Sequence, residues 1–339
     1  MFSKNYLKNM VLKVLKRVLT GLLILVVISI LLFFTPRIIS ALRPGAPPVG
    51  YHFESPVYLA VWSGLEKLAD LKPEIPPEIE ELKNIEYKNV NGKPLQLDIY
   101  RPTDLTGPAP LLVFIHGGSW KGGKRSDYLV YLVAFAQRGY VTATVSYRLL
   151  GDAPYPACIE DINDAVRWLC ANGENYGYDP ERIALIGGSA GGHLAMLSAY
   201  GWGDRSDGEG NEFSGNNRCQ VRAVVNIYGP SDLTTAYARN HRLVTDLIAY
   251  SFEEAPYLYS EASPVYYLDR NDPPTLIFHG TSDRLVPVSQ SDDLKAKLDF
   301  LGVPAVYHRL PLWPHTMDVV KRVNKFCQEK MTEFFEEYL

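Results

Sequence analysis

Three residues far apart in this 339-residue chain have the side chains needed for serine-based acyl transfer: Ser189, Asp283 and His315. Ser189 stands in Gly187-Gly188-Ser189-Ala190-Gly191, directly after the apolar run Ile183-Ala184-Leu185-Ile186 and before Leu194, Ala195 and Leu197 at helical spacing. A strand that delivers a serine to a tight turn and then a helix leaves the hydroxyl projecting at the turn, where a nucleophile belongs. Gly187 and Gly191 flank it because strand and helix come too close there for a Cβ. Glycine-rich turns without chemistry share this pattern, so the serine needs a general base and a carboxylate to orient that base. Of the histidines that follow, among them His193, His241, His279 and His315, only His315 lies on the loop after a predicted strand, over 305–310, that itself follows an acid-bearing loop. Asp283 ends Gly280-Thr281-Ser282-Asp283, after a predicted strand over 275–279. Asp232 and Asp318 are rival acids, the second too near His315 in sequence to sit easily beneath it, and His193 reads as structural.

A second apolar run, Pro110 to Ile115, closes in His116-Gly117-Gly118-Ser119-Trp120. Acyl transfer develops an oxyanion, and main-chain amides already aimed at that oxygen stabilise it without reorganising. The donors expected here are the amides of Gly118, Ser119 and Ala190, while the His116 side chain reads as structural. Trp120 and Trp313 flank these loops and are expected walls of a substrate pocket. Chemistry of this kind requires no metal and no cofactor. The run Gly118 to Lys124 approaches a phosphate-binding loop, but Arg125 stands where a Ser or Thr hydroxyl should meet magnesium.

The elements that must position these groups are legible. Segments 85–90 and 95–100 flank Asn91-Gly92, a hairpin signal. Strands over 111–115, 141–146, 183–186, 223–228, 275–279 and 305–310 then alternate with helices near 128–137, 157–171, 289–301 and 319–335. Alternation of this kind predicts a mostly parallel eight-stranded α/β sheet covered by helices on both faces. Residues 201–217 read as a polar surface loop. The stretch 231–272, with tyrosines at 237, 250, 257, 259, 266 and 267, is a candidate lid or pocket wall.

Leu97-Asp-Ile-Tyr-Arg-Pro102, His116 to Trp120, Ser146-Tyr-Arg-Leu149, the serine turn and the order Ser189, Asp283, His315 together resemble the carboxylesterase/lipase branch of the α/β-hydrolases. The nearest likeness is to feruloyl- and acetyl-esterase-like enzymes, related to the hormone-sensitive-lipase-like group. The resemblance spans residues 85–339 and implies a nucleophile at Ser189, an acid at Asp283 and a base at His315. Two departures stand out: Gly-Gly-Ser replaces three glycines in the oxyanion loop, and Gly188 occupies a position where hormone-sensitive-lipase relatives carry Asp. The implied reaction is hydrolysis of small or carbohydrate-linked acyl esters. The same fold also serves arylformamidases and peptidases, and a non-catalytic binding protein is the remaining alternative.

The N-terminus carries a separate signal. Residues 18–34 hold no charge, and extension to 36 gives about the 20 apolar residues that span a bilayer. Lys4, Lys8, Lys13, Lys16 and Arg17 precede the stretch, and only Arg37 and Arg43 follow closely. That asymmetry predicts a basic cytoplasmic segment over 1–17, an anchor over 18–36 and an extracytoplasmic catalytic body. A cleaved secretory signal is the alternative, although such cores usually run only about 7–15 residues. Residues 37–84 form a proline-rich tether with one short amphipathic helix, whose apolar positions Tyr58, Val61, Trp62, Leu65, Leu68 and Ala69 are expected to rest on the body; the membrane interface is the alternative, disfavoured by the scarcity of flanking basic residues. Beyond residue 50 the chain carries 27 basic against 38 acidic residues, which argues against nucleic acid as a partner. The cysteines lack metal spacing, Cys158 and Cys170 share a helix and cannot pair, and free thiols are expected, the alternative being a disulfide that would need Cys219 or Cys327. The sequence carries no signal of oligomeric state.

Overall fold

The computed structural model describes residues 4–51, 53–201 and 219–339, so the loop expected over 201–217 lies, Gly201 apart, outside the described residues. Eight strands form one sheet: β1 (Ile79–Val90), β2 (Lys93–Pro102), β3 (Ala109–Ile115), β4 (Val141–Val145), β5 (Tyr178–Gly188), β6 (Val221–Ile227), β7 (Thr275–Gly280) and β8 (Ala305–Leu310). Their spatial order is β1-β2-β4-β3-β5-β6-β7-β8. β2 pairs antiparallel with both β1 and β4, and every later pairing is parallel. The sheet is thus mixed, with the reversed strand near one edge. Asn91 and Gly92 turn the first hairpin with φ of 51° and 83°, the left-handed pair that a two-residue turn requires. β1 begins at Ile79, earlier than the apolar alternation from Ile85 suggests, because Ile79 is buried while much of the strand is half-exposed.

Alternation along the central strands splits the core into two layers. Leu111, Val113 and Ile115 of β3 face one layer with Ile183 and Leu185 of β5, against the helices Ala157–Ala171 and Ala190–Tyr200. Leu112, Phe114, Ala184 and Ile186 face the other, against Leu129–Ala136 and Lys321–Tyr338. Strands buried on both faces read as unbroken apolar runs, which is why β3, β5 and β6 stand out in the sequence. From β3 the chain steps to β4 on one side and then to β5 on the other. The carboxyl ends of β3 and β5 therefore border the switch point where open α/β sheets leave a crevice.

The cysteine expectation needs correction. Cys170 and Cys219 are disulfide-bonded, with Cα atoms 5.4 Å apart, and only Cys158 and Cys327 are free and buried. The end of the Ala157–Ala171 helix carries Cys170 to the chain entering β6, a juxtaposition that spacing along the sequence does not reveal.

The N-terminal helix runs Lys4–Leu42, and its apolar stretch is long enough to cross a membrane, with none of that stretch buried against the body. Its 39 residues span about 58 Å, well beyond the roughly 30 Å of a bilayer's hydrocarbon core. The far end is docked on the body. Phe33 meets Tyr51 at 5.9 Å between ring centroids, and Arg322 donates to Ser40 Oγ (3.0 Å), to the Val49 carbonyl (2.7 Å) and to Glu66 (2.8 Å). Tyr51 also donates to the buried Glu66 carboxylate at 2.9 Å. The tether is therefore clamped, not extended. Its helix, Glu54–Trp62, buries Ala60 and leans Val57 on the core, but Tyr58 and Trp62 face outward with Leu68. The periodicity had marked these three as the inward face; it selects apolar positions without saying what covers them.

Closure of the 49-residue separation by the disulfide restricts the unfolded chain, worth about 4 kcal/mol on loop entropy alone. Cys170→Ser should lower the unfolding midpoint in a denaturant titration by an amount equivalent to about 2–4 kcal/mol. Added reductant should do the same to the native protein and nothing further to the variant.

Candidate active site

β5 ends at Gly188, and Ser189 follows with φ 55° and ψ −125°, a strained conformation for a residue with a Cβ. The surrounding packing holds it there. A Cβ on Gly187 would fall on the Gly191 backbone, and one on Gly191 would fall on the Ile115 carbonyl oxygen at the end of β3. Ser189 N–H donates to the Ile227 carbonyl at 2.9 Å, tying the turn to β6. Gly188, the departure from the Asp pattern, lies against the Tyr128 hydroxyl, where any side chain would collide.

His315 and Asp283 reach this turn from the loops after β8 and β7. His315 Nε2 lies 3.0 Å from Ser189 Oγ, and its Nδ1 lies 2.6 Å from Asp283 Oδ2. The other Asp283 oxygen accepts from the Leu285 and Val286 amides, both at 2.9 Å. His279 adds a contact that sequence reading missed: its Nε2 is 3.3 Å from Asp283 Oδ2 and 2.9 Å from the Val286 carbonyl. Burial alone would lift the Asp283 carboxyl, but hydrogen bonds from His279 and His315 outweigh it and bring it from the ordinary 3.8 down to about 2. The carboxylate is thus held charged and immobile. The position of His279, at the end of β7 and four residues before the acid, was the only available hint.

The oxyanion loop curls through φ of 109°, 56° and 57° at Gly118, Ser119 and Trp120. The Lys121 and Gly122 amides both donate to the Gly118 carbonyl at 3.0 Å, which fixes the curl. Among the described residues, no main-chain carbonyl accepts from the Gly118 or Ser119 amide. Ala190 is the first residue of its helix, where amides have no intrahelical partner. His116 is structural, as expected: it is buried and stacks on Tyr147 at 4.4 Å, and Tyr147 donates to the His116 carbonyl. His193 is also structural, accepting from the Trp120 indole at 3.3 Å on Nδ1 and facing the Ala262 carbonyl at 2.7 Å through Nε2.

Two spaces open from Ser189. A cleft of about 470 Å³ holds His315, Gly118, Tyr128, Tyr228 and Asp318, with Leu71 and Lys72 of the tether on its rim. A recess of only about 20 Å³ lies on the other side, among Trp120, Ala190, Tyr237, Val244 and Val286. Trp120 lines the recess. Trp313 lines neither space: it is fully buried, donates its indole N–H to the Pro48 carbonyl at 2.8 Å and carries Arg322 over its ring at 4.8 Å. Of the tyrosines in 231–272, only Tyr237 borders these two spaces; Tyr259 is buried, and Tyr250, Tyr257 and Tyr266 are exposed away from them. The rival acids are engaged elsewhere. Asp232 accepts from Thr234, and the fully buried Asp318 is bonded by Tyr228 and Tyr131, beneath the Tyr228 ring that packs 4.6 Å from His315. Burial pushes the Asp318 carboxyl up.

Known proteins resemble this chain in sequence and fold. A family model described as BD-FAE matches residues 97–298. LipM of Mycobacterium tuberculosis, a probable carboxylic ester hydrolase, is 34% identical over 238 residues, covering 68% of this chain and 54% of its own. The esterase LipQ of the same organism is 31% identical over 252 residues, covering 72% and 59%. This chain thus spans a little over half the length of these curated relatives. Among solved structures, a truncated carbohydrate esterase from gut microbiota superposes with a TM-score of 0.66 at 25% identity, covering 80% of this chain and 98% of that one. Esterase 2 of Thermogutta terrifontis with propionate bound gives 0.64 at 25% identity, covering 78% and 96%. With its eight-stranded sheet and its match over 97–298, the chain belongs to the BD-FAE family of α/β-hydrolase carboxylesterases.

Proposed function

We propose that this protein is a membrane-anchored serine carboxylesterase that cleaves esters of short acyl groups through an acyl-enzyme. The observation that carries the reading is the unbroken hydrogen-bond chain from Ser189 Oγ through His315 to Asp283. In this reading His315 takes the Ser189 proton as the hydroxyl attacks the ester carbonyl. Asp283 holds the ring and stabilises its charged form, and the amides of Gly118, Ser119 and Ala190 receive the oxyanion. His315 then protonates the departing alcohol, so the alcohol lies on the His315 side, in the larger cleft. The acyl group falls in the small recess beside Trp120 and Tyr237, which admits only a short chain. The neighbouring structures titled with bound propionate and butyrate agree with an acyl group of that size.

Anchoring through residues 18–36, with residues 1–17 cytoplasmic and the catalytic body outside, is supported by the long apolar helix and its basic flank. The Cys170–Cys219 disulfide adds a separate argument, because such bonds persist in oxidising compartments. We place the catalytic body over 85–339, with β1 extending it back to Ile79.

Ser189→Ala should abolish labelling by a fluorophosphonate probe and lower p-nitrophenyl acetate turnover by about 10⁴ or more. Activity retained at the native level would refute the assignment. The depressed Asp283 carboxyl also makes a stability prediction. Its ionised form stabilises the folded state above the ordinary carboxylate range, and that contribution, about 2 kcal/mol, is lost as pH falls from about 4 to about 2. The difference in unfolding free energy between the native protein and Asp283→Asn should therefore shrink across that interval. An unchanged difference throughout would show that the carboxylate is not held as described.

A further inference from the structure

Building on the anchored-esterase reading, we propose that the outward face of the tether lies in the lipid headgroup layer, and that the cleft takes its substrate from there as a short-chain acyl ester of an amphiphilic alcohol. Tyr58, Leu59 and Trp62 share the free face of the Glu54–Trp62 helix and are 69%, 52% and 85% exposed. Leu68 and Leu71 extend the same apolar run along the tether. Side chains of this size left in water on one short segment mark a contact surface. Trp and Tyr with Leu are the residues that settle at a membrane–water boundary, where one end of each ring stays wet.

The bilayer is the occupant because of where this segment begins. Phe33, at the end of the apolar stretch, touches Tyr51, and Ser40 is bonded to Val49 and Arg322, so the emerging helix is fastened to the chain just before the patch. From there the tether is held without slack. Glu66 N–H donates to the Ala60 carbonyl, and residues 67–69 bridge to 319–321 through Ala69 N–H to Val319 (2.8 Å) and Lys321 N–H to Lys67 (2.8 Å). Leu71 and Lys72 then reach the rim of the cleft that holds His315. One short ribbon thus runs from the membrane exit to the leaving-group side of the site, with Tyr58, Leu59, Trp62, Leu68 and Leu71 exposed along it among the charged Glu54, Lys67, Asp70 and Lys72. An alcohol with a lipid-like portion can stay in contact with that face while its ester reaches Ser189, whereas the small recess limits the acyl group. This narrows the substrate beyond a soluble ester.

The test uses full-length protein in phosphatidylcholine vesicles and two acetates that load the recess identically: a dioleoyl acetylglycerol within the bilayer and p-nitrophenyl acetate in water. The triple variant Tyr58→Ser, Leu59→Ser, Trp62→Ser changes exposed positions outside the cleft. It should lose about tenfold or more on the bilayer ester while p-nitrophenyl acetate turnover and fluorophosphonate labelling stay at the native level. In parallel, Trp62→Cys is labelled with an environment-sensitive fluorophore, the free native thiols Cys158 and Cys327 being buried. Headgroup spin-labelled lipid should quench it strongly. Equal turnover of both esters by variant and native protein, absence of quenching, or quenching only between copies of the chain would overturn the proposal. Failure of the native protein on both esters and on the probe would instead sink the esterase reading, and the quenching result would still decide the membrane contact.

Discussion

The structure turns on one close approach, where the start of the Ala190–Tyr200 helix meets the end of β3. Gly191 lies against the carbonyl oxygens of Ile115 and His116 with no space for a side chain. That contact sets the angle at which β5 releases Ser189, and it fixes the same β3 terminus from which the Gly118–Trp120 curl begins. Ser189 and the Gly118–Trp120 curl are therefore positioned by one packing constraint, not by two independent ones. Strain at Ser189 is sustained by sheet hydrogen bonds and helix packing on both sides.

Around that contact the polar groups are arranged to leave little freedom. Asp283 receives two amides on one oxygen and two imidazoles on the other, so its charge is compensated while it is buried. His279 belongs to this arrangement by orienting the carboxylate, since it lies 3.3 Å from Asp283 and is itself fixed by Ser291 and the Val286 carbonyl. Tyr228 and Asp318 form the floor under His315 and limit where its ring can move.

Much of this was legible from residue order, and the reasons differ by element. Ser189 and Asp283 were readable because each follows an apolar run that marks a strand buried on both faces, and His315 because it lies on the loop after the next strand, β8, although that strand is half-exposed. Trp120 was readable from its place beside the oxyanion loop. Trp313 was misleading for an instructive reason: adjacency to His315 in sequence put it on a loop with two sides, and its ring took the side facing Pro48 and Arg322. The tether was the least legible part. Prolines and weak periodicity suggested loose chain, whereas its order comes from Glu66, Tyr51 and Arg322, residues whose partnership spans most of the sequence. The Cys170–Cys219 pairing was hidden likewise, since it depends on how the sheet brings two distant segments together.

The clamp formed by Tyr51, Glu66, Arg322 and Trp313 has a consequence for how the body parts from the N-terminal helix. Among the described residues, every partner of the clamp except Phe33, Arg37 and Ser40 lies at or after Pro48. A proteolytic cut in the exposed stretch between Arg43 and Pro47 would separate the N-terminal helix from a body whose cleft rim and His315 loop remain braced. A cut beyond Tyr51 would remove the ring that packs on Trp313 and loosen the loop that bears His315. Detachment with the brace kept and detachment with it lost are thus separated by only a few residues of chain.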